Sequence, residues 1–198
     1  MASPVIDDPI SFRRMVPAVP KILTARSPRR IANAIAIPLM AAGLMATAPC
    51  GVGAEATSIP MAVLEFDYLD TSGEVRDQTA AHSALLEQFV ESLRNDLQAS
   101  RRYQVVRMTC EPDPCSITRT DPSQLLEAAR RAGAKLLLFG GIHKMSTLVQ
   151  WAKAQVVEVE TDKLVFDRLL TFRGDDADAW RHAEGFLVKE LKSQTLVP

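Results

Sequence analysis

Residues 136–146 form the stretch LLLFGGIHKMS, which predicts the centre of the sheet. Its first four residues are all apolar, without the alternation of a strand that has one face in water. Such a run predicts a central strand that is covered on both sides. The next two residues, Gly140 and Gly141, have no Cβ atoms, so we expect a bulge, a sharp coil of the sheet or the close approach of another element there.

Three helices are predicted around this strand. The first runs from about Thr79 to Ser100, where leucines and a phenylalanine recur every four residues. The second begins at the N-cap Asp121 with Pro122 in its first turn and ends at Gly133. The third covers about residues 178–192, where apolar residues follow a 3-4-4 spacing.

Strand patterns fill the intervals between the helices. Residues 61–66 and 103–108 each read as one strand, whereas residues 65–77 read as a polar loop after the first strand. Residues 148–160 and 164–172 form a hairpin about the turn Thr161-Asp162, with Val149, Trp151, Val157 and Val159 on one face, and Leu164, Phe166, Leu170 and Phe172 on one face of the next strand.

The predicted order is therefore β-α-β-α-β-β-β-α. Two strand-helix-strand crossovers require parallel neighbours, and the last three strands form an antiparallel meander. This predicts an α/β (α+β) domain with a single mixed sheet.

The N-terminal residues have the pattern of a secretory signal peptide. Residues 1–30 carry six basic and two acidic residues, and residues 31–54 carry no charge. We expect a leader over residues 1–54, cleaved near residue 48 or 54, and a single domain over residues 55–198. The protein would then be periplasmic or secreted, with no stable membrane span after cleavage. The alternative is a membrane anchor formed by residues 31–54.

Removing the leader makes the chain acidic. Residues 55–198 hold 17 Lys and Arg against 22 Asp and Glu, which gives a net charge of −5. Proteins that bind nucleic acid usually present a basic patch, and none is visible, so we expect no nucleic-acid partner.

Two cysteines remain after cleavage, Cys110 and Cys115. An even number in an oxidising compartment, with two prolines between them, favours a disulfide. The spacing fits neither a redox pair nor a zinc site.

The stretch after the glycines does not fit a phosphate-binding loop, because Lys144 and Ser146 are out of register and a strand pattern follows. We expect no cofactor and no metal site, and we assign no catalytic residue. The weak candidates are His143, Lys144, Asp67 and Asp70, with Ser146 beside them. A site of this kind would combine His143 with the acidic loop of residues 65–77.

Four phrases resemble a family of small exported bacterial proteins classed as a domain of unknown function. They are VLEFDYLDTSGE (63–74), LRNDLQASRRYQVV (93–106), AARRAGAKLLLFGGIHKMSTLVQWAK (128–153) and FDRLLTFRGDDADAWRHAEGFL (166–187). They span nearly all of the chain after the leader. The resemblance implies no activity by itself.

The order of elements is more distantly similar to the N-terminal domain of TolB and to CsgG-like and penicillin-binding-protein-activator lipoproteins. The matching phrases are Val63 to Phe66, Asp96 to Tyr103 and Gly133 to Ile142. Those domains are protein-interaction modules of the envelope. The resemblance therefore implies a non-catalytic periplasmic domain that binds an envelope or periplasmic protein, or a ligand. The alternative is an accessory factor or enzyme of a periplasmic system, such as a quinoprotein dehydrogenase system, with its site near His143.

Overall fold

A computed structural model describes residues 58–110 and 114–196 of the chain, so the predicted leader lies outside the described residues. In chain order the elements are β1 (Ile59–Val63), β2 (Asp67–Asp70), α1 (Thr79–Ala99), β3 (Tyr103–Val106), α2 (Pro122–Arg131), β4 (Leu136–Lys144), β5 (Val149–Glu158), β6 (Lys163–Arg173) and α3 (Ala177–Ser193).

The described strands form one mixed sheet in the order β3-β1-β4-β5-β6. Strand β1 is parallel to β3 and to β4, whereas β4, β5 and β6 form an antiparallel meander. The predicted fold class, with its single mixed sheet and terminal meander, is confirmed. Strand β4 is central as expected, since its first four residues are completely or almost completely buried.

The first strand differs from the prediction. The stretch predicted as one strand over residues 61–66 ends at Val63, and the chain then kinks and starts again as β2 within the predicted polar loop. Both pieces run parallel to β4, β1 beside its first half and β2 beside its second half, where Asp67 pairs with Gly141 and Asp70 with Lys144. Strand β2 escaped prediction because DYLD is only four residues long and has an acidic residue at each end.

The glycine pair of β4 allows the close approach of other elements. A Cβ atom on Gly140 would lie 2.2 Å from the carbonyl oxygen of Lys153 and 2.8 Å from the ring of Phe66, which follows the kink. A Cβ atom on Gly141 would lie 3.0 Å from the carbonyl oxygen of Asp67. Because the two glycines have no side chains, Phe66, Asp67 and Lys153 can lie this close to β4.

Helices cover the two faces of the sheet unequally. Helices α1 and α3 pack together on one face, over a core that includes Leu136, Leu138 and Ile142 of β4. On the other face α2 covers a smaller cluster that includes Leu137 and Phe139. The alternation of β4 thus directs even-numbered residues towards α1 and α3, and odd-numbered residues towards the α2 face.

The predicted ends of α2 are confirmed. The Asp121 side chain accepts a hydrogen bond from the Ser123 amide at 2.9 Å, which satisfies one of the free amides at the start of the helix. Pro122 occupies the first turn, and Gly133 adopts a φ of +75°, the left-handed conformation that glycine supplies at helix ends.

The predicted shared face of β5 is confirmed, because Trp151 lies opposite His143 and Val157 opposite Leu137, and Val159 belongs to the same cluster as Val157. Between Val149 and Val156 the buried face of β5 consists of Gln150, Ala152, Ala154 and Val156, while Trp151 is 37% exposed. A bulge between Val156 and Val157 shifts the register with β6, so Leu164 lies opposite Val157 and Phe166 opposite Val156. Leu164 and Phe166 therefore occupy different faces. The predicted face of β6 is therefore wrong at Leu164, whereas Phe166, Leu170 and Phe172 share the face towards α1 and α3 as predicted.

Candidate functional site

The most strongly organised polar group in the described residues surrounds Lys144, the last residue of β4. Lys144 follows Leu138, Gly140 and Ile142 on the face that α1 and α3 cover, and it has 0% exposure. A lysine is almost never fully buried unless it is paired. The fold therefore has to supply partners for its ammonium group.

Three acceptors surround the ammonium nitrogen of Lys144. The Asp175 Oδ2 atom lies 2.5 Å away, the Gln78 Oε1 atom lies 2.6 Å away, and Glu74 Oε2 is the third acceptor. An ammonium group has three hydrogens to donate, so all of them are used. Glu74 and Gln78 come from the segment before α1, and Asp175 comes from the turn before α3.

Asp175 is held from two further directions. Its Oδ1 atom lies 2.8 Å from His82 Nε2 and accepts a hydrogen bond from Gln150 Nε2 at 2.9 Å. The Gln150 amide also donates to the carbonyl oxygen of Gly174. We define the lysine cluster as Glu74, Gln78, His82, Lys144, Gln150 and Asp175. It connects the end of β4 and the start of β5 to the starts of α1 and α3.

Burial alone would lower the pKa of Lys144, but the hydrogen bonds and charges of Asp175 and Glu74 outweigh it, so the pKa is raised. The amine is consequently protonated at neutral pH. A protonated amine with all three hydrogens bonded has no lone pair for nucleophilic or base chemistry. The cluster is therefore suited to holding elements together.

An aromatic layer packs beside the cluster. The Tyr68 ring stacks on His82 with ring centroids 4.9 Å apart, and Trp180 lies 6.0 Å from Tyr68. Burial raises the pKa of the Tyr68 phenol, and the carboxylates of Asp70, Asp175 and Glu74 raise it further. The phenol therefore keeps its proton.

His143 lies on the opposite face of β4 from Lys144, as adjacent strand residues must. Its Nε2 atom is 2.7 Å from Thr71 Oγ1, and its ring meets Trp151 edge to face at 6.0 Å. The two adjacent candidates, His143 and Lys144, therefore lie in separate environments.

The remaining candidate residues each form hydrogen bonds with nearby protein groups. Asp67 accepts hydrogen bonds from Ser116 and Thr118 at 3.0 and 2.6 Å, and Asp70 accepts one from the Ser72 amide at 2.8 Å. Ser146 accepts a hydrogen bond from the Val149 amide in the β4–β5 turn.

The acidic residues of the 65–77 segment do not converge on His143. Glu65 pairs with Arg94 at 2.7 Å, Glu74 joins the lysine cluster, and Asp77 accepts a hydrogen bond from the Thr79 amide. Of the predicted candidates, only Lys144 belongs to the cluster. The alternation of side chains along β4 could have indicated that Lys144 faces the core, because it places Lys144 on the same face as Leu138 and Ile142.

Cys110 and Cys115 form a disulfide, with Cα atoms 5.2 Å apart. Residues 111–113 of the intervening turn lie outside the described residues. The Cys115 carbonyl oxygen accepts a hydrogen bond from the Glu65 amide, and Ser116 forms a β-bridge with Glu65. The disulfide loop is thus attached to the chain at the kink between β1 and β2.

The described residues show neither a metal-binding cluster nor a membrane-spanning helix. No group of three or more His, Cys, Asp or Glu side chains there is arranged to hold a metal ion. Among the same residues, every helix is too short or too polar to cross a membrane.

The α2 face has a second notable region, beyond the part that α2 covers. His143, Trp151 and Thr171 lie side by side across β4, β5 and β6, and Lys153 and Leu169 form the adjacent row. Trp151 is 37% exposed and Leu169 is 54% exposed. We call these five residues the open face.

Sequence comparison places the chain beside proteins whose role is not known. The model of the family DUF3280, described as "Protein of unknown function (DUF2380)", matches residues 60–191. No curated protein sequence is significantly similar to the chain.

Solved structures give distant likenesses. The C-terminal domain of LpoB from Salmonella enterica is 17% identical, with a TM-score of 0.42 over 61% of this chain and 85% of that one. TolB from Acinetobacter baumannii is 15% identical, with a TM-score of 0.43 over 70% of this chain and 29% of that one. PelC from Paraburkholderia phytofirmans, a dodecamer, is 17% identical, with a TM-score of 0.43 over 69% and 86%. Structural similarity at this level does not indicate a function.

Proposed function

The chain belongs to the DUF3280 family of proteins of unknown function. We propose that it is a non-catalytic domain that binds another protein of the cell envelope through the open face. The carrying observation is the exposure of Trp151 and Leu169 on a region of the sheet that none of the described helices covers. They are diagonal neighbours, because Trp151 pairs with Thr171 and Leu169 pairs with Lys153.

Several properties of the open face suit a protein partner. Tryptophan is enriched among the residues that contribute most to binding energy at interfaces. The region also carries one histidine and one lysine, so it combines an apolar centre with polar groups at its edge. Exposed apolar residues grouped together on an otherwise polar surface commonly mark interaction sites.

The non-catalytic part of the proposal is supported by the chemistry of the candidate residues. The amine of Lys144 is fully hydrogen-bonded, and the His143 ring contacts Thr71 and Trp151 rather than an acidic group. A general base needs a partner that orients it and a proton to remove within hydrogen-bond reach.

We place the protein in the periplasm or outside the cell, on the basis of the leader pattern in residues 1–54. The disulfide is compatible with an oxidising compartment. Mass spectrometry of the exported protein should give a chain that starts near residue 49 or 55. A chain that keeps residues 31–54 and stays with the membrane after a salt wash would instead support the anchored form.

Affinity purification from the envelope of the native organism tests the partner. We expect the wild-type protein to retain one envelope protein that the double variant W151S/L169S loses. The matched control is F186S, which removes another exposed aromatic residue, 50% exposed, from α3. Circular dichroism should confirm that all variants are folded. Retention of the same protein by all three forms, or by none, would contradict the proposal.

A further inference from the structure

The sheet has two edges, and they differ in how they are protected. Strand β3, at one edge, is only 4 residues long, and the Gln98 side chain accepts a hydrogen bond from the Val105 amide at 2.8 Å. Strand β6, at the other edge, is 11 residues long, and β5 is the only described strand that pairs with it. Because a long unpaired edge is a template for the addition of another strand, natural proteins usually shorten or cover such edges.

The direction of the backbone groups along β6 follows from its pairing with β5. The Gly174 amide donates to the Leu148 carbonyl oxygen at 3.0 Å, so the even-numbered residues in this part of β6 direct their N–H and C=O groups towards β5. The residues between them direct theirs away from the sheet, because the two kinds of residue pair alternate along an antiparallel ladder. The outward-directed residues are Asp167, Leu169, Thr171 and Arg173.

The charges along this edge are complementary to themselves in one register. When two identical strands pair antiparallel about a two-fold axis, the residue on the axis lies opposite its own copy. With Leu170 on the axis, Asp167 of each copy lies opposite Arg173 of the other, and opposite charges at such positions stabilise strand pairing. An axis at Arg168 would place two arginines together, and the remaining axis positions between residues 167 and 173 bring no opposite charges together within this segment.

We propose that a second copy of this chain binds along β6, with the two strands antiparallel and Leu170 on the two-fold axis. The outward N–H and C=O groups of residues 167–173 then bond across the axis and continue the sheet into the second copy. The Asp167 side chain is 44% exposed beside Lys153, so it can accept a second cation from the other copy. The bulge between Val156 and Val157 interrupts the regular edge before this segment.

This dimer is independent of the envelope partner proposed above, because pairing at the edge extends the sheet and leaves the open face of each copy uncovered. The interface is short, since only residues 167–173 of each copy form the ladder. Small interfaces of this kind are reversible, and we expect a dissociation constant on the order of 10 µM.

Cysteine substitutions along β6 test the register. Cys110 and Cys115 are already joined, and C50S removes the remaining cysteine of the chain. The Cα atoms at the axis would be about 4.5 Å apart, within the range of a disulfide, whereas copies of a neighbouring residue would be diagonal, about 7–8 Å apart. Under mild oxidation C50S/L170C should therefore form covalent dimers at least about tenfold faster than C50S/L169C or C50S/T171C. If L170C stays monomeric, or if either neighbour reacts as fast, the proposal is wrong.

Charge reversal tests the partner by sedimentation equilibrium of the exported protein. D167R places two arginines opposite each other and R173D two aspartates, so each variant alone should dimerise at least about tenfold more weakly than the wild type. An equimolar mixture should dimerise again, because the new arginine of one variant then lies opposite the new aspartate of the other. The control K163E changes a charge of β6 outside the ladder and should dimerise like the wild type.

Circular dichroism should show that all of these variants are folded. A wild type that remains monomeric at about 200 µM would overturn the proposal. A mixture of D167R and R173D that dimerises no more tightly than either variant alone would also overturn it.

Discussion

Replacement of Lys144 with methionine removes the ammonium group but keeps an apolar side chain of similar length. The carboxylates of Glu74 and Asp175 would then lose their cation, although their side chains are only 24% and 17% exposed. Breaking a buried ion pair from one side costs about 3–5 kcal/mol. Because Asp175 keeps its bonds to His82 and Gln150, we expect the lower end, about 3 kcal/mol of unfolding free energy.

Lys153 provides a matched control in the same sheet. It pairs with Asp167, and the two side chains are 25% and 44% exposed. Exposed ion pairs contribute about 0–1 kcal/mol, so K153M should lose no more than that. Urea unfolding followed by circular dichroism at pH 7 measures both losses.

The K144M variant should also depend on pH differently from the wild type. In the wild type the pKa of Lys144 is raised above its ordinary value of 10.5, so the folded state holds this proton more tightly than the unfolded state. The stability that Lys144 contributes is therefore present below pH 10.5 and lost as the pH rises through the folded pKa, so the gap between the wild type and K144M should narrow above pH 10.5. A loss equal to that of K153M, or a gap that does not change with pH, would refute the role assigned to the lysine cluster.

Two further substitutions test the packing and the buried acid. G140A should lower the unfolding free energy by about 1–3 kcal/mol, because a Cβ atom at this position would meet the backbone of Lys153. G185A, at a helix position with open space around it, should instead raise the unfolding free energy by about 0.5–1 kcal/mol. Equal effects of the two substitutions in urea unfolding would contradict the close approach at β4. Burial raises the pKa of Glu184 from 4.5 to about 7, so the folded state binds the extra proton and the wild type should lose up to about 3 kcal/mol between pH 4.5 and 7. E184Q should remove this loss, and unchanged pH dependence would show that Glu184 titrates normally.

Much of the fold could be predicted because short-range signals agreed with it. The cap at Asp121, the glycine at position 133 and the four-residue stripe of α1 are each read from neighbouring residues. The apolar run of β4 likewise placed the central strand. The start of β2 and the face that Leu164 of β6 occupies depend instead on distant pairing and on a bulge.

The lysine cluster could not be predicted as a whole. Lys144 meets Glu74 and Asp175, which are 70 and 31 residues away in sequence. Strand alternation indicates that the lysine side chain turns inward, but it does not tell which loops supply the acceptors. His143 was a candidate because it is a histidine that follows two glycines. The residue that is fully buried and hydrogen-bonded is its neighbour Lys144.

The lysine cluster also bears on the order in which the chain folds. A chain synthesised from its N-terminus presents Glu74 and Lys144 well before Asp175. Until residue 175 has appeared, Lys144 has only one of its two carboxylate partners, so burying its charge is unfavourable. We therefore expect the burial of this charge to accompany the docking of α3, so that the domain assembles as a unit once almost the entire chain is available.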